Sequence, residues 1–545
     1  MKKLLNKIKV ASLVLVAIMT MNSCESWLEL YPEGKTLLED YWKSADDIES
    51  VVATCYLSMM DGKFMDRVFV WGELRSDNIE RGTKATAEQI DILDVNLQTT
   101  NSYNDWAIFY QTINYCNTVI YYAPQVMEED KNLSTSTMEA YRAEARAIRA
   151  MCYFYLVRAF GDVPLVWQPT IEDSESFAIA KTPANEVLNT IVEDLREALL
   201  YAKSTYGAYN IAYNVSRFTK QSIRVLLADI LLWQGRYAEC VEVCDEFLAY
   251  DRQLKVVDIT AGYNLPSPQI MLDRFSMLTS VSDVIFATAF NASAMKAPFL
   301  KLFGFEMKEP QLSAAKAMVE EADPNNAYGL YSRTDLRRNF VSASSTTTGD
   351  YTHYQIPKYV CNGYSSYGGS ISYSTASSEF VDWIFYRLAD VYLIRAEAMV
   401  ELAATTSNEE DVTKYLNHAI DMVNNTYMAA NEELRATDSL SLSAYNSVDA
   451  MRELVLQERR REFIYEGKRW FDLVRHARKF NDAEVLIEYF DNKRFPNSSS
   501  QVALNKMSTM DALYMPIYQT EIDNNDLLVQ NPFYQMDETT EKNEK

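Results

Sequence analysis

The chain has 545 residues, 48% hydrophobic and 23% charged, a balance that fits a globular protein and excludes a disordered one. Its formal net charge of -24 excludes nucleic acid as a partner, because neutralising a phosphate backbone takes a basic surface. Three histidines in the whole sequence (His353, His418, His476) leave little material for metal centres or histidine-based catalysis.

The N-terminus reads as a targeting segment. Lys2, Lys3, Lys7 and Lys9 form a basic start, and Val10 to Met21 is an apolar run too short for an ordinary membrane span. Met21-Asn22-Ser23-Cys24 closes it and is similar to a bacterial lipobox, with Met21 where leucine is usual. That resemblance implies a signal peptide over 1–23, cleavage before Cys24 and acylation of Cys24. The mature chain would then be anchored to a membrane and not threaded through it. An ordinary secretory signal beside an incidental cysteine is the alternative. The other cysteines (Cys55, Cys116, Cys152, Cys240, Cys244, Cys361) do not read as a disulfide framework in so long a chain. Cys240 and Cys244, one helical turn apart among apolar residues, read as small buried side chains.

After an extended tether from Glu25 to Leu38, Ser44 can cap a helix that starts at Ala45, with Asp46 and Asp47 at its positive end. Residues 66–104 are irregular, and QTTNSYN (98–104) is polar and turn-rich. Helix resumes at Asp105 or Trp106 on a stripe of Trp106, Phe109, Tyr110, Ile113, Cys116, Asn117 and Ile120, and Pro124 is expected to stop it. A partner helix begins near Ser136 and closes at Phe160-Gly161. Such helical pairs recur at about 105–160, 186–250, 380–425 and 450–478. Ala228, Leu232, Gly235 and Ala238 lie where a tetratricopeptide repeat wants small residues and a turn. Loop-rich insertions at 66–104, 251–310 and 339–380 break the period. The predicted class is mainly α: degenerate tetratricopeptide-like pairs forming a spine, with the insertions gathered into a loop-rich second lobe.

The stretch from Glu458 to Arg475 is the most distinctive. It reads as one helix with Leu456, Phe463, Gly467, Trp470 and Val474 on one face, and with Glu458–Arg461 and Asp472–Arg475 spaced to pair. Gly467 costs about 1 kcal/mol inside a helix, which calls for a close approach or a kink. Glu458, Glu462 and Glu466 read as structural carboxylates, and His476 as a cation suited to a helix end.

Tyr465-Glu466-Gly467-Lys468-Arg469-Trp470-Phe471-Asp472-Leu473-Val474-Arg475 resembles the C-terminal signature of the SusD/RagB family, the glycan- or peptide-capturing outer-membrane lipoproteins of Bacteroidetes. Four further stretches are similar to the family: Cys24 to Pro32 with Tyr41 to Glu49; Arg142 to Pro164; Tyr386 to Ala398; and Leu513 to Asn525 closing on Gln530 to Tyr534. Tyr518 stands where a second proline is usual, and Phe533 where glycine is usual. The resemblance implies one domain over 24–545 that captures a nutrient and delivers it to a TonB-dependent SusC-like transporter. The nutrient is an oligosaccharide or polysaccharide, with oligopeptides the alternative. The implied place is the outer membrane, lipid-anchored and facing the exterior. An enzyme on the same scaffold and a protein-binding tetratricopeptide scaffold are the weaker alternatives. No GxSxG elbow, HExxH or phosphate loop is present, and neither cofactor nor metal is called for.

A sugar site needs flat aromatic faces edged by amide, carboxylate or guanidinium groups. Three irregular stretches offer that mixture: Trp71 to Asn78, Gln98 to Tyr103, and the tyrosine-rich run from Tyr351 to Tyr373. On chemistry alone the candidate ligand residues are Arg75, Asp77, Asn101 and Tyr103, then Tyr364 and Tyr367. The competing reading is that Arg75 and Asp77 pair with each other or cap a turn.

Overall fold

Capping chemistry sets the first helices. The computed structural model describes residues 41–170, 178–207, 210–254, 265, 283–288, 300–303, 310–320, 330–332, 334–342, 344–348, 351–364, 371–373, 382–490 and 493–535. Cys24, Tyr367 and the charged tail from Asp537 lie outside them. Helix α1 (Ala45–Met59) starts from a reciprocal box in which Ser44 Oγ accepts from Asp47 N–H and Asp47 Oδ2 accepts from Ser44 N–H. A short α2 (Gly62–Phe69) runs into a π-turn at Val70–Leu74, then α3 (Ala87–Leu93). Pro124 does not stop α4 (Ala107–Glu129). Ala123 and Val126 are fully buried, and packing on α1 outweighs the one ladder bond that proline removes. α5 (Thr135–Phe160) is capped by Ser134 and ends at Gly161, whose φ of 77° is open to glycine.

The spine follows by side-by-side packing. α5 lies against α4 and against α6 (Ala184–Tyr201). After a short α7 (Ile211–Ser216), α8 (Lys220–Trp233) pairs with α9 (Tyr237–Leu254). α9 meets α10 (Leu388–Thr405), and α10 meets α11 (Glu409–Ala430). The buried alanines Ala140, Ala143, Ala147 and Ala150 let helices approach α5 closely, and Gly235 (φ 76°) turns α8 into α9. This is the mainly α, paired-helix class that the periodicity predicts.

The signature stretch is not one helix. α12 (Val448–Glu462) ends at Phe463, and α13 (Arg469–Phe480) begins after a turn in which Tyr465 and Gly467 have φ of 61° and 68°. Phe463 and Trp470 therefore share no helix face. The cause is a backbone wedge. A Cβ on Gly72 would stand 1.7 Å from Gly467 O, and one on Gly467 would stand 3.1 Å from Val68 O. Gly467 N–H donates to Glu73 Oε2 at 3.1 Å. The predicted pairs do form, Arg461–Glu458 at 2.9 Å and Arg475–Asp472 at 2.8 Å.

The three glutamates are held in buried ion pairs. Arg337 reaches Glu458 and Glu462, both at 2.7 Å; Arg387 reaches Glu466 at 3.0 Å and Lys358 reaches it at 2.7 Å. Buried charges persist only when paired, so this is a structural use. His476 is a correction to the expected helix-end cation: burial lowers its pKa to about 4, which leaves it neutral at pH 7.

The described parts of the insertions include short strands that pair into small sheets. β1 (Ile79–Arg81), β5 (Leu312–Ala314), β6 (Ser344–Thr348) and β7 (Tyr351–Gln355) make an antiparallel sheet in the order β1-β5-β7-β6, with Ile79 opposite Ala314 and Ala314 opposite Tyr354. Two-stranded pairs join β2 (Val163–Pro164) to β3 (Lys181–Thr182), β8 (Cys361–Tyr364) to β9 (Ile371–Tyr373), and β4 (Val284–Ala287) to β10 (Ile384–Arg387). Ser44–Lys545 forms one compact unit and Met1–Lys43 another.

Candidate functional site

The first two stretches chosen for ligand chemistry lie inward. Arg75 is 2% exposed, donates to Leu513 O (2.8 Å) and Ala512 O (2.6 Å), and stacks on Trp470 at 4.2 Å. Asp77, also 2% exposed, binds Arg469 through both oxygens at 2.8 and 2.9 Å and Arg460 at 3.1 Å. Burial alone would raise its pKa, but Arg460 and Arg469 hold it down to about 2. Asn101 accepts from Tyr103 N–H (3.0 Å) and donates to Glu88 O (2.9 Å). The Tyr103 hydroxyl accepts from Gln89 at 3.0 Å, and burial pushes its pKa up to about 12. Polar groups in short irregular stretches have to find partners once buried, and these four found protein partners. Arg75 and Asp77 do not pair with each other.

The fold nevertheless brings the first two stretches into contact and sets the third against β1, the strand that follows the first. Trp71 Nε1 donates to Tyr103 O at 2.8 Å, which joins the first to the second. Tyr351 donates to Glu80 at 3.2 Å and lies under Arg81 and Arg494 at 4.6 and 4.1 Å, which joins the third stretch to β1. Tyr354 and Tyr359 are buried. Tyr364 is placed by its backbone opposite Ile371.

A groove of about 860 Å³ opens beside the second stretch, in the range of small-ligand sites. One wall is the first turns of α4, with Trp106, Tyr110 and Asn114. The floor is the strand β2 and the segment after it, with Trp167 and Gln168. The far wall is α14 (Gln519–Asn524), with Glu521. Gln519 N–H donates to Thr99 O at 2.9 Å, so the Gln98–Tyr103 turn borders this wall.

The floor is rigidly built. Asn117 Nδ2 donates to Val166 O and Gln168 O, both at 3.1 Å. Tyr153 OH accepts from Val166 N–H at 2.7 Å and donates to Val166 O at 2.8 Å. Arg149 donates to Asn117 at 2.7 Å, pairs with Asp194 at 2.7 Å, and lies 3.5 Å from the centre of the Trp167 ring. The ring is thus fixed on one face while its partly exposed surface lines the groove. Burial raises the Glu521 carboxyl, and the Trp106 indole N–H counters it. The groove thus presents the Trp167 indole and the Tyr110 phenol, with Trp106 buried behind them, edged by three amides (Asn114, Gln168, Asn525) and one carboxylate, the mixture that holds a polyhydroxylated ring.

These residues escaped the sequence reading. Trp106 and Tyr110 read as members of the helical stripe of α4, Asn114 lies one turn from Tyr110, and Trp167-Gln168 comes just after Pro164-Leu165-Val166. The usable signal was a polar-aromatic second face on an otherwise apolar helix.

Residues 27–232 match a family model described as starch-binding associating with outer membrane, and residues 305–534 match one described as the SusD family. The chain belongs to the SusD family. SusD-like protein P38 of Formosa agariphila is 26% identical over 515 residues, covering 87% of this chain and 92% of that protein. SusD-like protein P2 of the same organism is 24% identical, covering 86% and 91%. Among solved structures, a SusD homolog from Bacteroides thetaiotaomicron superposes with a TM-score of 0.71 at 17% identity, covering 92% of this chain and 100% of that one. A protein from Bacteroides vulgatus described as a putative sugar binding protein superposes at 0.63 with 18% identity, covering 91% and 100%. These likenesses fix the SusD fold. No helix among the described residues of this SusD-family chain is long and apolar enough to cross a membrane.

Proposed function

We propose that this SusD-family protein is a cell-surface lipoprotein that captures an oligosaccharide and delivers it to a TonB-dependent transporter. It binds and does not catalyse. Cys24 carries the lipid anchor, which holds the protein on the outer face of the outer membrane. The single observation that carries the glycan reading is the groove of Trp106, Tyr110 and Trp167 edged by Asn114, Gln168 and Glu521. The family description and the Bacteroides vulgatus neighbour support it. Tyr364 and Tyr367 complete the proposal on chemistry alone, as further rings for a longer glycan. Arg75, Asp77, Asn101 and Tyr103 support the site's framework in this reading and do not touch the ligand.

The test is calorimetric titration of a panel of neutral oligosaccharides and oligopeptides into the wild type and Trp167→Ala. Losing the stacking ring should weaken glycan binding by about 1 kcal/mol, roughly fivefold. Unchanged glycan affinity in a folded Trp167→Ala protein would move the site out of the groove. Binding of peptides alone would replace the glycan reading with peptide capture.

A further inference from the structure

A second cavity, of about 300 Å³, is built from other parts of the chain. Its walls come from α1 (Ala53, Tyr56, Met60), the end of α7 (Tyr213, Ser216) and the strand pair β4–β10 (Phe286, Phe385). Phe286 stands between Phe218 and Phe385, stacked at 4.1 and 5.5 Å with interplanar angles of 27° and 26°. Phe286 and Phe385 are 1% and 3% exposed, so the stack is held rigid where it faces the cavity. Leu57 and Tyr213, lining it too, are each 54% exposed. Large apolar side chains left in solvent around a concave apolar site mark a place for a ligand.

The charges nearby are already satisfied by one another. Arg217 donates to Glu144 at 2.9 and 2.8 Å and to Glu49 at 3.0 Å. Tyr56 OH donates to Glu144 at 2.8 Å and accepts from Phe218 N–H at 2.8 Å. A charged ligand would therefore lose its hydration without gaining a free counter-ion. Ser216 offers a hydroxyl at the edge, and Met59 and Met60 give adaptable walls.

We propose that this cavity binds a neutral aromatic molecule of one or two fused rings, which extends the Phe218–Phe286–Phe385 stack. The site is separate in sequence from the sugar groove and takes different chemistry. Such a site would let the protein hold an aromatic substituent, or a free aromatic compound, alongside a glycan.

The probe is 2-naphthol, uncharged at pH 7, titrated into the full chain by calorimetry and by saturation-transfer NMR, with 2-naphthoate as the anionic counterpart. The expected result is saturable binding of 2-naphthol, at least about tenfold weaker for 2-naphthoate and for Ala53→Trp. Ala53 is exposed on α1, so the indole fills the mouth without entering the core. If Ala53→Trp lowers the melting temperature, Leu57→Lys, which changes an exposed residue, replaces it. No saturable binding to the wild type, equal binding of the anion, or undiminished binding in the mouth variant overturns the proposal. Oligosaccharide titration of the same variant reads the groove independently, so failure of one site is distinguishable from failure of the other.

Discussion

Glu73 shows how one buried carboxyl ties stability to pH. It accepts from Asn78 Nδ2 at 2.8 Å and from Gly467 N–H at 3.1 Å. Burial nevertheless pushes its pKa up to about 7, and burial likewise pushes Asp283 up to about 6 against the pull of Arg387. An acid whose folded pKa is raised contributes stability at low pH that is lost as pH rises through the folded value. Asp77 and Glu466, held down to about 2 by arginine and lysine partners despite burial, contribute the opposite: stability present above the unfolded value and lost as pH falls toward 2. Stability should therefore peak at mildly acidic pH and fall between about pH 5 and 8, by on the order of 2–3 kcal/mol through Glu73 and about half that through Asp283. Denaturant unfolding at both pH values measures the fall. Glu73→Gln should flatten it, though the variant starts less stable because its amide donor faces other donors. An unchanged slope in Glu73→Gln would assign the pH dependence to other groups.

Among elements, the turn between α12 and α13 is decided by its contact with the π-turn at Val70–Leu74. Gly72 and Gly467 meet backbone to backbone, and no rotamer change can relieve a Cβ placed 1.7 Å from a carbonyl oxygen. Gly72→Ala is expected to destabilise by about 3 kcal/mol or more, read as a lower melting temperature or loss of soluble protein. A Gly72→Ala protein that melts like the wild type would mean that this wedge is loose. Helices α1, α5 and α8 were legible from caps, stripes and small residues because those are local signals. At Gly467 the glycine signalled a kink or a close approach, but not a full break at Phe463–Lys468, because its partner Glu73 stands 394 residues away in sequence.

For the whole molecule, the spine and the anchor make one prediction together. No described helix is long and apolar enough to cross a membrane, and the proposed attachment is through the lipid on Cys24. Cys24→Ala should release the protein from the membrane fraction, as followed by blotting after a salt wash. Retention of the variant would place the anchor elsewhere.

Periodicity and capping residues determined the helical class, because both are short-range signals that need no knowledge of distant contacts. The signature stretch carried the family resemblance, and only that resemblance implies nutrient capture. Only the tertiary structure decided which polar residues are buried among protein partners and which line the groove. Arg75 and Asp77 have the composition of a binding site, yet the C-terminal segment and α13 close over them and take up their hydrogen bonds. Trp167 and Glu521 sit in unremarked segments far apart in sequence and meet across a groove because α4, the stretch after β2 and α14 converge there. A side chain's chemistry is local, but its burial is fixed by what packs against it, and that is set by the whole chain.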